Sequence, residues 1–126
     1  MRKIAVTDVF AHTSGVWDVR AMRAYARTHP SRVPATVTPM AVELVEHVRA
    51  SNAWDPARVD ALTPRELRDP LLAVELSGGR GVLLVDGTHR LLRLHRDGAT
   101  HFRVRVFPEG LAERFRVTIN IEKKGT

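Results

Sequence analysis

Gly81-Val82-Leu83-Leu84-Val85-Asp86-Gly87-Thr88-His89-Arg90-Leu91 decides the fold. The apolar run Val82–Val85 reads as a strand buried on both faces. An acidic residue and a glycine follow, and a helical pattern then runs from Thr88 to about Arg96. Asp97-Gly98 closes it, with Gly98 in the usual C′ place. A strand that turns straight into a helix leaves the first backbone N–H groups without partners. The helix dipole adds partial positive charge at the same point, so the turn has the makings of an anion site. Gly87 lets the backbone approach a ligand closely. Thr88 is placed to cap the helix or to donate to a phosphate oxygen. His89 and Arg90 put donors in the first turn, where a cation costs a helix up to ~1 kcal/mol. A bound anion would offset that misfit, and local rules tend to fail where function sits. The competing reading is structural: Asp86 salt-bridges Arg90, and His89 packs. A pattern this short does not separate the two.

On either side the chain alternates between strands and short helices. Leu71–Leu76 reads as a strand, and Ser77-Gly78-Gly79-Arg80 as the turn into the apolar run. Phe102–Phe107 alternates as a half-exposed strand, with Phe102, Val104 and Val106 suited equally to a core or to a partner chain in a homodimer. Phe115, Val117, Ile119 and Ile121 predict a last strand. Upstream, Lys3–Phe10 reads as a strand and His12–Gly15 as a turn. Asp18 caps a helix to about Thr28, with Val19, Met22 and Tyr25/Ala26 on one face. Pro34–Val37 reads as a short strand. Thr38-Pro39 has the form of a helix start, and Met40, Leu44, Val45 and Val48 follow on one face. Trp54-Asp55-Pro56 reads as a connection, and Thr63-Pro64-Arg65-Glu66 as a capping box opening a helix to Arg68. The expected class is α+β, a small mixed β-sheet of five or six strands flanked by short helices, in a single domain over residues 1–126.

Composition bounds the chemistry. The chain has 126 residues, 44% of them hydrophobic, which suits one core. There is no cysteine, so disulfides, thiolate catalysis and cysteine metal sites are excluded. No stretch approaches the ~18 apolar residues of a membrane span. The apolar run after Met1-Arg2-Lys3 is too short for a signal peptide, so a cytoplasmic location is expected. Net charge is +6, and 17 of the 20 basic residues are arginine. Arginine's planar fork matches phosphate at two points. GC-rich coding would give the same bias, so charge alone decides nothing.

The stretch Pro70–Pro108 resembles the ParB/sulfiredoxin-like superfamily. There a strand hairpin leads into a signature of the type D-G-x-H-R, then a helix, a glycine and a further strand. Leu71–Glu75, Gly81–Leu91, the helix to Asp97-Gly98 and His101–Phe107 match that order. The superfamily includes partitioning proteins that bind and hydrolyse CTP, sulfiredoxins that use ATP, a kinase for free serine, and nucleases. The resemblance implies that Gly87, Thr88, His89 and Arg90 contact the phosphates of a nucleoside triphosphate, ATP or CTP. It also implies that Asp86 orients the turn or holds Mg²⁺. Thr88 stands nearest to where a sulfiredoxin has its cysteine, so that reaction is excluded. Only about 19 residues follow Phe107, so a DNA-reading helix-turn-helix domain is missing from them. The kinase's acidic residue, near the end of its first strand, falls roughly at Asp8.

The remaining candidates have ordinary alternatives. The six histidines show no ligand spacing; His89 and His95 are six apart, not four. A nucleotide's Mg²⁺ needs only one or two carboxylates, for which Asp86 and Asp8 are the choices. Asp8, Asp18 and Glu75 stand near element ends as general-base candidates, but Asp18 already has a capping role. His89, Arg93 and Arg96 share one helix face, and Arg103 and Arg105 one strand face. Such stripes track a nucleic-acid backbone or are simply solvated. Trp17 and Trp54 stack a base or fill the core. Two functions result. The first is a nucleotide-binding enzyme of phosphoryl transfer or nucleotide hydrolysis, with Asp8, Asp86, His89 and Arg90 catalytic. In it Arg90→Ala abolishes binding and spares the fold. The second is a non-catalytic DNA- or protein-binding module.

Overall fold

The computed structural model describes residues 9–12, 15–51 and 54–117. Within them the chain is an α+β protein with six strands and six helices. β1 (Val9–His12) and β2 (Gly15–Asp18) form an antiparallel ribbon. Helix α1 (Val19–Thr28) follows at once, and the Asp18 carboxylate accepts from Ala21 N at 3.0 Å as the cap. Next come β3 (Ala35–Pro39), α2 (Val42–Ala50), α3 (Pro56–Ala61) and α4 (Pro64–Arg68). Then come β4 (Leu71–Glu75), β5 (Val82–Asp86), α5 (Thr88–Arg96), β6 (His101–Phe107) and α6 (Glu109–Glu113).

The main sheet has the order β3-β6-β4-β5. β6 lies antiparallel to β3 and parallel to β4, and β4 lies antiparallel to β5. Each face of the sheet carries its own core. Leu72 and Val74 of β4 point to one face, where Met22 and Ala26 of α1 pack with Trp17, Val33 and Phe107. Leu71 and Ala73 point to the other, where Val45 of α2, Val59 of α3 and Leu91 and Leu92 of α5 pack with Phe102 and Val104. Burying a side chain such as Leu72 or Val74 contributes about 1.5–3 kcal/mol. β4 is therefore the strand enclosed on both sides.

Several expectations are corrected. Val82–Val85 was expected to be buried on both faces, but β5 is an edge strand, and Val82 is 59% exposed. An unbroken apolar run does not reveal its place in a sheet; β6 lies beside β4 and leaves β5 outside. Thr38-Pro39 does not start a helix. Both residues pair with β6, Pro39 opposite His101, on the other edge, where proline is tolerated. The helix begins at Val42, with no side-chain cap from Ala41. Trp54–Pro56 is more than a connection, because Asp55 caps α3 by accepting from Ala57 N at 3.0 Å. His12 and Gly15, expected as turn residues, instead end β1 and begin β2. A helix, α6, precedes Phe115, and Arg116 makes one bridge to Trp17. The expected last strand beyond Val117 and the first strand before Val9 lie outside the described residues. Phe102 and Val104 face the core, and Val106 packs against it, so none of them marks a partner surface.

Candidate functional site

The site begins where β5 ends. A register shift between Leu72 and Ala73 leaves Asp86 opposite Leu72 at the strand's carboxyl end. The chain reverses at Gly87, whose φ of +105° is left-handed. A Cβ on Gly87 would lie 2.6 Å from Leu71 Cγ, so the turn needs glycine to pack against β4. Gly87 is the N-cap residue of α5, and Leu91 N donates to its carbonyl at 2.8 Å. Thr88 is thus the first helical residue and makes no capping bond, contrary to one of its expected roles. The N–H groups of Thr88, His89 and Arg90 have no partner within the helix. The first turn of α5 contains no acidic residue.

Arg90 is an anchor. Nη1 donates to the carbonyls of Asp69 at 2.9 Å and Pro70 at 3.1 Å, and Nη2 donates to Asp86 Oδ2 at 3.1 Å. The side chain, 13% exposed, ties the start of β4 to the end of β5. The expected separation of binding from folding at Arg90 does not fit this geometry. Asp86 Oδ2 also lies 3.6 Å from Arg23 Nη1 of α1. Asp86 is therefore shared by two guanidinium groups, which fits its orienting role. It does not suit Mg²⁺, because both neighbours repel a dication. Among the described residues no group of three acidic, histidine or cysteine side chains is arranged to hold a metal ion.

His89 reaches the other way. Its Nε2 accepts from the backbone N–H of Asp55 at 3.0 Å, which fixes the end of α3 to the turn. An accepting Nε2 carries no proton, so the ring here is neutral. Burial first, and then the Arg58 guanidinium, hold its pKa below the ordinary 6.5 against the pull of Asp55.

These elements surround a cleft of about 940 Å³. α1 supplies Arg20, Arg23 and Arg27 to its lining. α3, α4 and α5 contribute Arg58, Arg65 and Arg90, and Arg105 of β6 lines it with Leu72 and Val85. The Asp86–Arg90 turn lines it throughout. Among the described residues three carboxylates share the lining: Asp86, Asp69 and Glu66. Glu66 is held in the capping box with Thr63, whose backbone N–H and then hydroxyl keep its pKa below the usual carboxylate value. The volume falls in the range of small-molecule sites, about 300–1,000 Å³.

The structure thus brings together Asp86, Gly87, Thr88, His89 and Arg90. Asp8 lies outside the described residues. Asp18 is buried as a cap, and Glu75 is exposed at the end of β4, opposite Val82. Trp17 is buried in the core with Arg116 over its ring, and Trp54 donates to the Arg49 carbonyl at 2.9 Å; neither lines the cleft. Arg93 and Arg96 of the expected stripe are engaged with α3: Arg93 with the carbonyls of Val59 and Asp60, Arg96 with the Asp60 carboxylate. The α1 row was missed. Arg20, Arg23 and Arg27 recur at helical spacing beside the core face, so a signal was present. Arg105, half of the expected Arg103/Arg105 stripe, lines the cleft and donates to the Val33 carbonyl, whereas Arg58 and Arg65 come from distant segments and left none.

Comparison with protein-family models, with curated proteins and with solved structures returns no match for the chain. No helix among the described residues is long and apolar enough to cross a membrane.

Proposed function

We propose that this protein binds a nucleoside di- or triphosphate in the cleft, with the phosphates at the N-terminus of α5. In this reading it is a ParB/sulfiredoxin-like domain that acts in phosphoryl transfer or nucleotide hydrolysis. The supporting observation is that seven arginines line the same cleft as a helix start whose first turn contains no acidic residue. Phosphoryl transfer relies on positioning and on neutralising charge, and guanidinium groups supply both. Gly87 lets the backbone approach, Thr88, His89 and Arg90 offer backbone N–H groups, and Arg23, Arg58 and Arg65 offer charge. Arg90 holds the turn in shape. The base that activates the acceptor is Asp8 by resemblance. No step runs through Mg²⁺ at Asp86, for the reason given above.

A second reading, a DNA- or protein-binding module without turnover, is favoured by one feature. Asp86 and Glu66, two of the three acids in the cleft, are already tied to partners and are poorly placed to take a proton. A thermal-shift panel of nucleotides and duplex DNA separates the two. Ligand at about 100 times its Kd stabilises the fold by about 2.7 kcal/mol. A shift with nucleotides supports the first reading. A shift with DNA alone, steeply reduced by salt, supports the second. No shift with any nucleotide sinks the first.

A further inference from the structure

We propose that His89 contacts the ligand as a neutral hydrogen-bond donor: its ring, held in one tautomer by Asp55, presents Nδ1–H to a phosphate oxygen in the cleft. The proposal rests on the phosphate reading above and gives His89 its role in it, as a ligand contact and not as an acid or base.

The tautomer follows from one contact. The backbone N–H of Asp55 donates to Nε2 at 3.0 Å, so the lone pair of Nε2 is engaged and that nitrogen bears no proton. A neutral imidazole has one N–H, which is then on Nδ1. Burial and the nearby Arg58 guanidinium favour the neutral ring. Asp55 is itself fixed where it stands. Its carbonyl accepts from Arg58 N at 3.0 Å and Val59 N at 3.1 Å, and its carboxylate accepts from Ala57 N. The group that sets the tautomer is thus built into the start of α3.

The direction of the donor follows from placement. His89 lines the cleft, and Asp55 stands outside the lining. With Nε2 turned to Asp55, Nδ1 is the ring nitrogen left for the cleft. Among the described residues nothing bonds to Nδ1, and the atom is not buried. The ring grows from the second residue of α5, and side chains on a helix lean toward its N-terminus. Nδ1–H therefore joins the backbone N–H groups of Thr88, His89 and Arg90 at the same end.

This role differs from that of the arginines nearby. A guanidinium attracts any anion through its charge, whereas a neutral N–H contributes only where an acceptor stands in line with it. Acid–base chemistry is also removed from His89. A general base needs a free lone pair within reach of the reacting hydroxyl or water. The pair on Nε2 is held by Asp55, and Nδ1 has none to offer.

The test is NMR of the full isotope-labelled chain at about pH 8, where an ordinary histidine is neutral. Two-bond nitrogen–proton spectra of the rings show which nitrogen carries the proton, and the His89 signals are those missing from His89→Gln. The proton is expected on Nδ1. On adding pyrophosphate or ATP, the Nδ1 signal is expected to shift and its proton to exchange more slowly with water, while Nε2 stays bare. His89→Gln can set its amide oxygen where Nε2 accepts, but has no donor at the Nδ1 position. It is expected to bind pyrophosphate about tenfold more weakly, the loss of one charge-assisted contact, with a nearly unchanged urea midpoint at that pH. His89→Asn has the reverse properties: it is expected to bind more tightly than His89→Gln and to unfold more easily. A proton on Nε2 in the free chain, or on both nitrogens in the bound one, overturns the proposal. So does unaltered affinity in His89→Gln, or weaker binding in His89→Asn than in His89→Gln. A response to ATP with none to pyrophosphate overturns the phosphate contact in favour of base or sugar. All of these outcomes leave the phosphate reading standing; failure of the unaltered chain to bind either compound removes that reading as well.

Discussion

At the carboxyl end of α5 each arginine has its own partner, whereas in the cleft at its amino end the described arginines outnumber the described carboxylates by more than two to one. Arg93 meets Asp97 at 2.9 Å and the carbonyls that close α3, and Arg96 meets Asp60. These contacts lie over a settled packing of α5 on α3. In the cleft, Asp86 serves Arg23 and Arg90 together, and Arg58 is close enough to His89 to depress its pKa. At one end arginine serves as mortar alone; at the other Arg90 and Arg105 also bind carbonyls, and the arginines still exceed the described carboxylates. Composition alone does not distinguish the two uses; the local ratio of partners does.

The comparison breaks most visibly at the turn itself. Gly87→Ala forces a Cβ against Leu71 at a left-handed φ. It is expected to destabilise the fold by about 2–5 kcal/mol, read from urea unfolding. A loss below about 1 kcal/mol would show that β4 yields and that the turn is not built on this packing. Arg90→Ala is next. It frees two carbonyls and leaves Asp86 with Arg23 alone, so a loss of about 2–3 kcal/mol is expected along with weaker anion binding. Arg90→Lys should not rescue it, because one ammonium cannot span both carbonyls and the carboxylate. Intact stability in Arg90→Ala would return Arg90 to the role of a pure ligand contact.

The pH response is smaller. His89 titrates below 6.5 in the folded protein, so near that pH the unfolded chain binds more protons. Its contribution is complete above about 6.5 and is lost as pH falls toward the depressed folded value. His89→Gln should flatten that part of the stability profile. An NMR titration of the ring should show the low value, moving upward when an anion occupies the cleft. A His89 pKa at or above 6.5 without ligand would contradict the Asp55 contact. Arg96→Ala is the least effect expected: an exposed pair is lost, anion affinity is unchanged, and the unfolding midpoint stays within error. A marked loss of anion binding there would dissolve the distinction between the two ends.

Much of this architecture was readable in order along the chain. The Asp18 cap, the Thr63/Glu66 capping box, the helix from Thr88 to Arg96 and the alternation of β6 are local patterns, and each appears where its residues call for it. What failed was non-local. The position of β5 at the edge depends on β6 lying beside β4, and Pro39 joins a strand because β6 pairs with it. α3 was missed because six residues opened by Asp55-Pro56 are too few to show a period. The turn of the candidate site was legible to the residue; its opposite wall was not, because Arg23 and Asp86 lie 63 positions apart in the chain and meet through the fold.

That meeting has one more consequence. Asp86 is a tethered anion that never leaves the cleft, so any mobile anion enters a contest already in progress. A tethered group acts at an effective concentration of about millimolar or higher. Chloride and similar small anions must beat that incumbent with one charge each, whereas a ligand with several charges can win elsewhere in the cleft and leave Asp86 in place. Under the proposed anion-binding function, one carboxylate between two arginines thereby sets a threshold that a singly charged anion does not clear.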